Sequence, residues 1–238
     1  MDEKRFNELY NRAYEKSYVT FSEFLNLQEQ SVLANTYLPC VKFGGYENAE
    51  RVVAGFGENV TVGDFPIALL EISPVMQKFA DRLSHRDFLG ALMNLGIKRE
   101  LLGDIIVKDN IGYLFCLDHI KDYIIDSVDR IKHTTVTVRE IEALPDNAVS
   151  VPKEYEKIVS SLRIDAVISA VYNLSRNDSA KLFAQEKVFV NSRQVSSPSY
   201  QLKNGDIISL RGFGRFIFDK ALRSTKKDRL VISIQKYE

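Results

Sequence analysis

The sequence feature that most restricts the fold lies in residues 160–216, where two short helices are followed by short strands. Ser175 can cap the second helix, and Asp178, three residues later, can reach back to the cap. Helices of this length must bury an apolar stripe against a second layer, so the segment predicts a compact α+β module. The stripe of the first helix has i, i+3, i+4, i+7 spacing and consists of Ile164, Val167, Ile168 and Val171.

Strand and turn signals complete this module. Residues 187–190 predict a strand that turns at Asn191-Ser192 into residues 193–195. The sequence Lys-Asn-Gly-Asp at 203–206 predicts a second turn, because glycine and asparagine tolerate the backbone angles of tight turns. A further strand is predicted to follow that turn over residues 207–210.

The C-terminal part of the chain is basic, although the net charge of the whole chain is zero. Residues 1–155 carry 17 Lys and Arg against 24 Asp and Glu, and residues 156–238 carry 15 against 8. A basic module on an acidic body indicates a polyanionic partner, and Arg and Lys side chains match RNA phosphates. Arg176 and Lys187 would share a face if the second helix, predicted over about 176–186, reached that far. The candidates for one basic surface are Arg163, Arg176, Lys181, Lys187, Arg193, Arg211 and Arg215. The predicted RNA-binding set also includes Ser175, Asn177 and Asn191.

The middle of the chain predicts a β-α-β-β-α-β order, with the first crossover split into two helices. This is the ferredoxin-like arrangement, which RRM domains also use. Tyr113 and Phe115 alternate on a strand and match part of an RRM signature, but the match is weak and we expect both to be core residues. The predicted elements are strand 65–72, helices 74–83 and 86–95, strands 104–108 and 111–117, helix 118–131 and strand 134–141.

A second group of cations brackets the apolar helix of this middle region. These side chains could form a second RNA contact in a body that is acidic overall. The alternative is local pairing of Arg86 with Asp87 and a capping or packing role for His85. The candidate residues are Arg82, His85, Arg86, Lys98 and Arg99, together with Arg51 near the N-terminal region.

The first 64 residues predict helices over 5–16 and 22–37 and a strand over 40–43. The strand leads into Gly44-Gly45, which predicts a tight turn or a close backbone approach. A functional alternative is that the glycine amides contact phosphate, or that Glu47 and Glu50 orient Arg51.

Residues 160–216 resemble the S4 RNA-binding domain in the order and spacing of their motifs. The departure from the family pattern is Ser192, where the family has glycine after the turn asparagine. The resemblance implies binding of structured RNA. Its motifs are Arg163-Ile164-Asp165, Ser175-Arg176-Asn177-Asp178-Ser179-Ala180, Lys187-Val188-Phe189-Val190-Asn191, Pro198-Ser199-Tyr200 and Gly205-Asp206-Ile207-Ile208.

The rest of the chain resembles the YlmH family, small bacterial S4 proteins often encoded beside cell-division genes. This resemblance implies an N-terminal helical or α+β region at 1–64, an RRM-like domain at 65–152 and an S4 domain at 153–238. It also implies association with the large ribosomal subunit, through ribosomal RNA and possibly tRNA, during rescue of stalled ribosomes. The motifs are the segments 43–51, 85–92, 95–100 and 103–105.

Other classes of protein are less consistent with the residues. The two cysteines are isolated, the three histidines lack metal-ligand spacing, and no P-loop is present. We expect a cytoplasmic protein with no cofactor, no membrane partner and no small-molecule substrate. The alternatives are an RNA-modifying enzyme similar to pseudouridine synthases and a protein-interaction adaptor of the cell-division machinery.

Overall fold

The computed structural model describes residues 1–146, 148–149 and 151–237. The chain is an α+β protein with antiparallel sheets, as the sequence predicts. It forms two compact units, Met1–Val149 and Ser150–Glu238. The further division of the first unit at residue 64 stays a prediction.

The first unit contains four helices and eight strands in its described residues. Short 3-10 turns lie at Val62–Asp64, Gln77–Phe79, Arg99–Leu101 and Asp118–Ile120. In chain order the elements are α1 (Glu3–Lys16), β1 (Thr20–Phe21), α2 (Leu27–Thr36), β2 (Val41–Phe43), β3 (Val53–Phe56), β4 (Ile67–Pro74), α3 (His85–Asn94), β5 (Leu102–Lys108), β6 (Ile111–Leu117), α4 (Lys121–Ser127), β7 (Arg130–Ile131) and β8 (Thr134–Glu140).

The second predicted helix begins later than the sequence suggested. Residues 22–26 do not join it, because the Ser22 amide donates to the Ala54 carbonyl beside the β1–β3 pairing. The helix α2 begins instead after Asn26, whose side chain accepts from the backbone amides of Gln28 and Glu29. The Asn26 backbone amide in turn donates to the Glu29 carboxylate, which completes a capping box.

The five-stranded sheet of the first unit has the order β5-β6-β4-β8-β7, with antiparallel pairing. Side chains alternate between its two faces. One face, with Leu70 and Leu114, packs on α3 and α4. The other face, with Leu69, Tyr113 and Phe115, packs on residues of the N-terminal region.

Two helix predictions in this unit were wrong. The segment 74–83 holds only the 3-10 turn Gln77–Phe79, because the Val75 amide still donates to the Thr135 carbonyl and continues the sheet. The helix predicted over 118–131 is limited to α4, and β7 follows it. Lys132 has a φ of 53°, so the chain reverses there and pairs β7 with β8.

In residues 151–237 the second unit has two helices on one face of a six-stranded sheet of order β11-β10-β12-β13-β14-β9. The predicted helix pair is present. Its second helix ends at Ala184, so Lys187 lies beyond it and does not share a helical face with Arg176. The elements are β9 (Lys153–Val159), α5 (Ile164–Tyr172), α6 (Arg176–Ala184), β10 (Val188–Val190), β11 (Arg193–Gln194), β12 (Asp206–Leu210), β13 (Gly214–Ser224) and β14 (Leu230–Lys236).

Candidate nucleic-acid interface

Helix α6 begins with the predicted cap. The Ser175 hydroxyl accepts from the Asp178 amide at 3.1 Å and donates to Asp178 Oδ2 at 2.7 Å. Lys181 Nζ lies 3.0 Å from Asp178 Oδ1. The Ser175 and Lys181 bonds lower the pKa of Asp178. The Ser175 hydroxyl therefore caps the N-terminus of α6. Arg176, Asn177 and Lys181 are exposed on the same helix.

Two other predicted contacts have intramolecular partners. Arg163 makes a bidentate pair with Asp165, with distances of 3.1 and 2.8 Å. Asn191 Oδ1 accepts from the Ile207 amide at 3.0 Å, and its Nδ2 donates to Asp206 Oδ1 at 2.9 Å. Asn191 thus ties the turn after β10 to β12. Ser192 keeps the left-handed conformation, with a φ of 63°, where glycine would be less strained.

The structure divides the predicted basic set between the two faces of the six-stranded sheet. Phe216 packs on the helices, so its neighbour Arg215 points to the opposite face. There the guanidinium carbon of Arg215 lies 4.2 Å from the ring centroid of Tyr237. Arg211 lies 5.3 Å from the ring centroid of Phe189, which likewise points away from the helices. The exposed cations of α6 are therefore on a different face from these two arginines.

The remaining members of the predicted set lie on the strands of this sheet. Arg193 is exposed on β11, opposite Val190 of β10. Lys187 is half-buried just before β10, and its carbonyl accepts from the Arg211 amide.

The Arg51 side chain has a structural role in the first unit. It is buried, with 9% of the residue exposed. Nε donates to the Leu102 carbonyl at 2.8 Å, and one Nη donates to the carbonyls of Phe24 and Arg99 at 2.8 and 3.2 Å. A guanidinium held by three carbonyls is not available to a phosphate, so we leave Arg51 out of the proposed interface.

Asp104 fixes the segment that precedes Arg51. Its carboxylate accepts from the Tyr46 hydroxyl at 2.8 Å, the Glu50 amide at 2.7 Å and the Arg51 amide at 3.1 Å. The motifs at 43–51 and 103–105 are thus brought together as one structural cluster. These contacts favour the structural interpretation of the glycine pair.

Gly45→Ala is expected to destabilise the first unit by about 2–3 kcal/mol. Gly45 has a φ of +97°, and an added Cβ would lie 2.2 Å from Cδ1 of Phe115. Chemical denaturation measures the loss. Gly96→Ala is the matched control, because Gly96 also has a positive φ but nothing within 4 Å of its added Cβ. Equal losses in the two variants would show that the Phe115 ring is not the obstacle.

The second predicted group of cations is only partly suited to RNA. Arg99 Nη1 donates to the carbonyls of Leu102 and Gly103, and burial followed by the Arg51 guanidinium lowers the pKa of Arg99 to about 10. His85 is exposed, and desolvation followed by the Arg99 charge lowers the pKa of its imidazole. Arg82, Arg86 and Lys98 are exposed.

Arg86 lines an open groove of about 550 Å³ between α3 and the α4–β7 segment. Arg130 and Lys132 line the same groove, and sequence reasoning missed both because they follow Arg86 by more than 40 residues. Lys132 pairs with Asp87 at 2.7 Å, and this bond with those from Ser84 lowers the pKa of Asp87 to about 2. Asp87 therefore pairs with Lys132 and caps α3 through Ser84.

The sheet face that carries Tyr113 and Phe115 is covered. The two residues are 6% and 2% exposed. The Tyr46 ring stacks on Phe115 with 5.1 Å between centroids and 19° between planes. Both aromatics belong to the core, as the sequence analysis expected, and neither offers a ring to a nucleic-acid base.

The described residues contain no group of three or more His, Cys, Asp or Glu placed to hold a metal ion. None of the helices in that part of the chain has both the length and the apolar character needed to cross a membrane.

Comparisons with known proteins bear on both units. Residues 61–144 match a family profile described as "Putative RNA-binding domain in YlmH". Over 239 aligned residues the chain is 30% identical to "Ribosome-associated protein quality control protein P2" of Bacillus subtilis (strain 168), covering 95% of this chain and 91% of that protein. The solved structure of "Cell division protein ylmH from Streptococcus pneumoniae" is 26% identical, with a TM-score of 0.47 over 58% of this chain and 88% of that chain.

Proposed function

This chain belongs to the YlmH family, and on that premise we propose that it is an RNA-binding protein of the ribosome. The observation that carries the proposal is the exposure of Arg176, Asn177 and Lys181 on α6. The helix is fixed on a buried core, so these side chains form a rigid basic surface. A surface of this kind can contact RNA through phosphates and 2′-hydroxyls without reading bases.

The charge of the second unit supports this location. Residues 150–238 carry 16 Lys and Arg against 9 Asp and Glu. We assign this unit to the S4 class, since its helix pair precedes strands in the order that the motifs require. The domain would then begin near residue 153.

The first unit is proposed to add a second contact. Its strand order β5-β6-β4-β8 is that of a ferredoxin-like domain, and we assign residues 65–152 to an RRM-like domain. Because its aromatic sheet face is covered, the groove lined by Arg86, Arg130 and Lys132 is the better candidate for RNA. Arg82 and Lys98 are exposed in the same domain and remain candidates.

The ribosomal partner follows from the relatives. The Bacillus subtilis relative is named for ribosome-associated protein quality control. We propose by analogy that this chain binds the large ribosomal subunit through ribosomal RNA, with tRNA as a further contact, during rescue of stalled ribosomes. Such a protein would work in the cytoplasm, without a cofactor and without catalysis.

Co-sedimentation with purified ribosomal subunits tests the proposal. We expect the full chain to sediment with the large subunit at low salt and to be released as salt is added, because phosphate contacts weaken steeply with ionic strength. The small subunit serves as the control under the same conditions. Association with neither subunit at low salt would overturn the ribosomal proposal.

The same fractions separate the two alternatives. A protein-interaction adaptor would bind no RNA even at low salt. An RNA-modifying enzyme would change the nucleoside composition of the bound RNA, which mass spectrometry after digestion measures. We expect RNA binding with unchanged nucleosides.

A further inference from the structure

The turn between β12 and β13 presents an aromatic ring to solvent. The turn is Arg211-Gly212-Phe213, and Gly214 begins β13. Gly212 and Gly214 have φ values of +86° and +103°, so the backbone on each side of Phe213 takes a conformation that suits glycine. The Phe213 amide donates to the Leu210 carbonyl at 3.0 Å. The result is a defined turn with Phe213 43% exposed.

The Phe213 ring packs against the ring of Tyr172. Its centroid lies 5.6 Å from that of Tyr172, with 69° between the ring planes. Tyr172 ends α5 and also contacts the fully buried Phe216, with 6.0 Å between centroids. Phe213 therefore rests on an anchored ring, and its position costs little to order when a partner binds.

A lysine lies beside the ring that supports Phe213. Lys236 Nζ lies 4.9 Å from the ring centroid of Tyr172. Arg176, the first residue of α6, follows Tyr172 by four positions in the sequence. Arg211 begins the turn, with its guanidinium over the Phe189 ring on the other face of the sheet. A partner protein with an apolar contact surface would have to desolvate these charges, whereas an RNA strand would pair them with its phosphates.

We propose that Phe213 is a stacking site for one unpaired RNA base. This inference rests on the proposed RNA-binding function and adds a ligand class to it: a nucleotide in a bulge, a loop or a single strand. An unpaired base can place its face on the exposed ring, while a base inside a duplex has both faces covered by its neighbours. Lys236, beside the Tyr172 ring, would hold an adjoining phosphate.

Two RNA probes and three variants test the site. One probe is a fully paired RNA hairpin stem, and the other is the same stem with a single bulged 2-aminopurine. The variants are Phe213→Ala, Phe213→Trp and Leu222→Ala. Leu222 is a control on the same unit, since it is an apolar residue of β13 that is 38% exposed and has no ring. Thermal unfolding of each variant checks that the fold is kept.

We expect the full chain to quench the 2-aminopurine fluorescence on binding. Phe213→Ala should weaken binding of the bulged probe by about tenfold, in line with the loss of one stacked base. The same variant should bind the paired probe within about twofold of the unchanged chain, because phosphate contacts carry that binding. Phe213→Trp should bind the bulged probe as tightly as the unchanged chain does, and Leu222→Ala should change the affinity for neither probe.

The contradicting outcomes are distinct. If the unchanged chain binds neither probe, the RNA-binding proposal fails and this inference fails with it. If the chain binds both probes but Phe213→Ala weakens both equally or neither, only the stacking site is overturned. Loss of subunit association in Phe213→Ala with unchanged binding of both probes would assign the ring to a protein contact and would also overturn the site.

Discussion

Arg51→Met is expected to destabilise the first unit by roughly 3–5 kcal/mol, which is a large part of the stability of an ordinary domain. Methionine fills similar space, but it cannot donate to the carbonyls of Phe24, Arg99 and Leu102 that Arg51 reaches. A buried carbonyl left without a donor loses its bond to water and gains none in return. Chemical denaturation of the full chain, followed by circular dichroism, measures the loss.

The control for Arg51→Met is Arg12→Met, which removes an exposed arginine from α1. We expect that control to change the free energy of unfolding by less than about 0.5 kcal/mol. Arg51→Lys should lower the free energy of unfolding almost as much as Arg51→Met does, because one ammonium group on a flexible stem cannot serve three fixed carbonyls. Weaker RNA binding in Arg51→Met with unchanged stability would contradict the structural role and restore Arg51 as an RNA contact.

The double reversal Arg176→Glu with Lys181→Glu is expected to weaken RNA binding by about 100-fold at low salt. Both side chains are exposed on α6, and each reversal replaces an attraction to phosphate with a repulsion. The slope of log affinity against log salt should also become shallower, by the amount that corresponds to the loss of about two phosphate contacts. Filter binding or fluorescence anisotropy across a salt series gives both quantities.

Lys4→Glu with Arg5→Glu is the matched control for this reversal. It makes the same change in net charge on α1, in the other unit. We expect it to weaken binding by less than about threefold, since only the long-range field changes. Equal losses in the two double variants would mean that net charge, and not the α6 surface, governs the affinity.

The parts of the fold that could be predicted depend on short-range signals. The stripe of Ile164, Val167, Ile168 and Val171 and the Ser175 cap lie within a few residues, so they specify α5 and the start of α6 by themselves. The strands β5 and β6 were also predicted, because a two-residue turn at Asp109-Asn110 joins them. Strand β13 was not predicted, since its second half is exposed and shows no apolar alternation. Strand β14 was not predicted either, although four consecutive residues of it are buried.

The candidate site was harder to predict because charge alone does not reveal burial. Arg51 resembles any surface arginine in the sequence, and the carbonyls that bury it come from Phe24, Arg99 and Leu102, at least 27 residues away. A long separation in sequence also hid the fact that Arg86 and Arg130 line one groove. The assignment of RNA contacts to individual side chains stays a prediction that the charge reversals test.

The covered sheet face around Tyr113 and Phe115 has a consequence for how RNA binding by the middle of the chain should be measured. Residues 61–144 taken alone would lose Tyr46, Phe24 and Val53, which cover those rings. The segment would then present a broad aromatic surface that attracts bases and other apolar partners without belonging to any interface of the intact chain. The affinity of that fragment for RNA would include nonspecific binding to exposed core residues. The affinity of the whole first unit would instead measure binding at the groove.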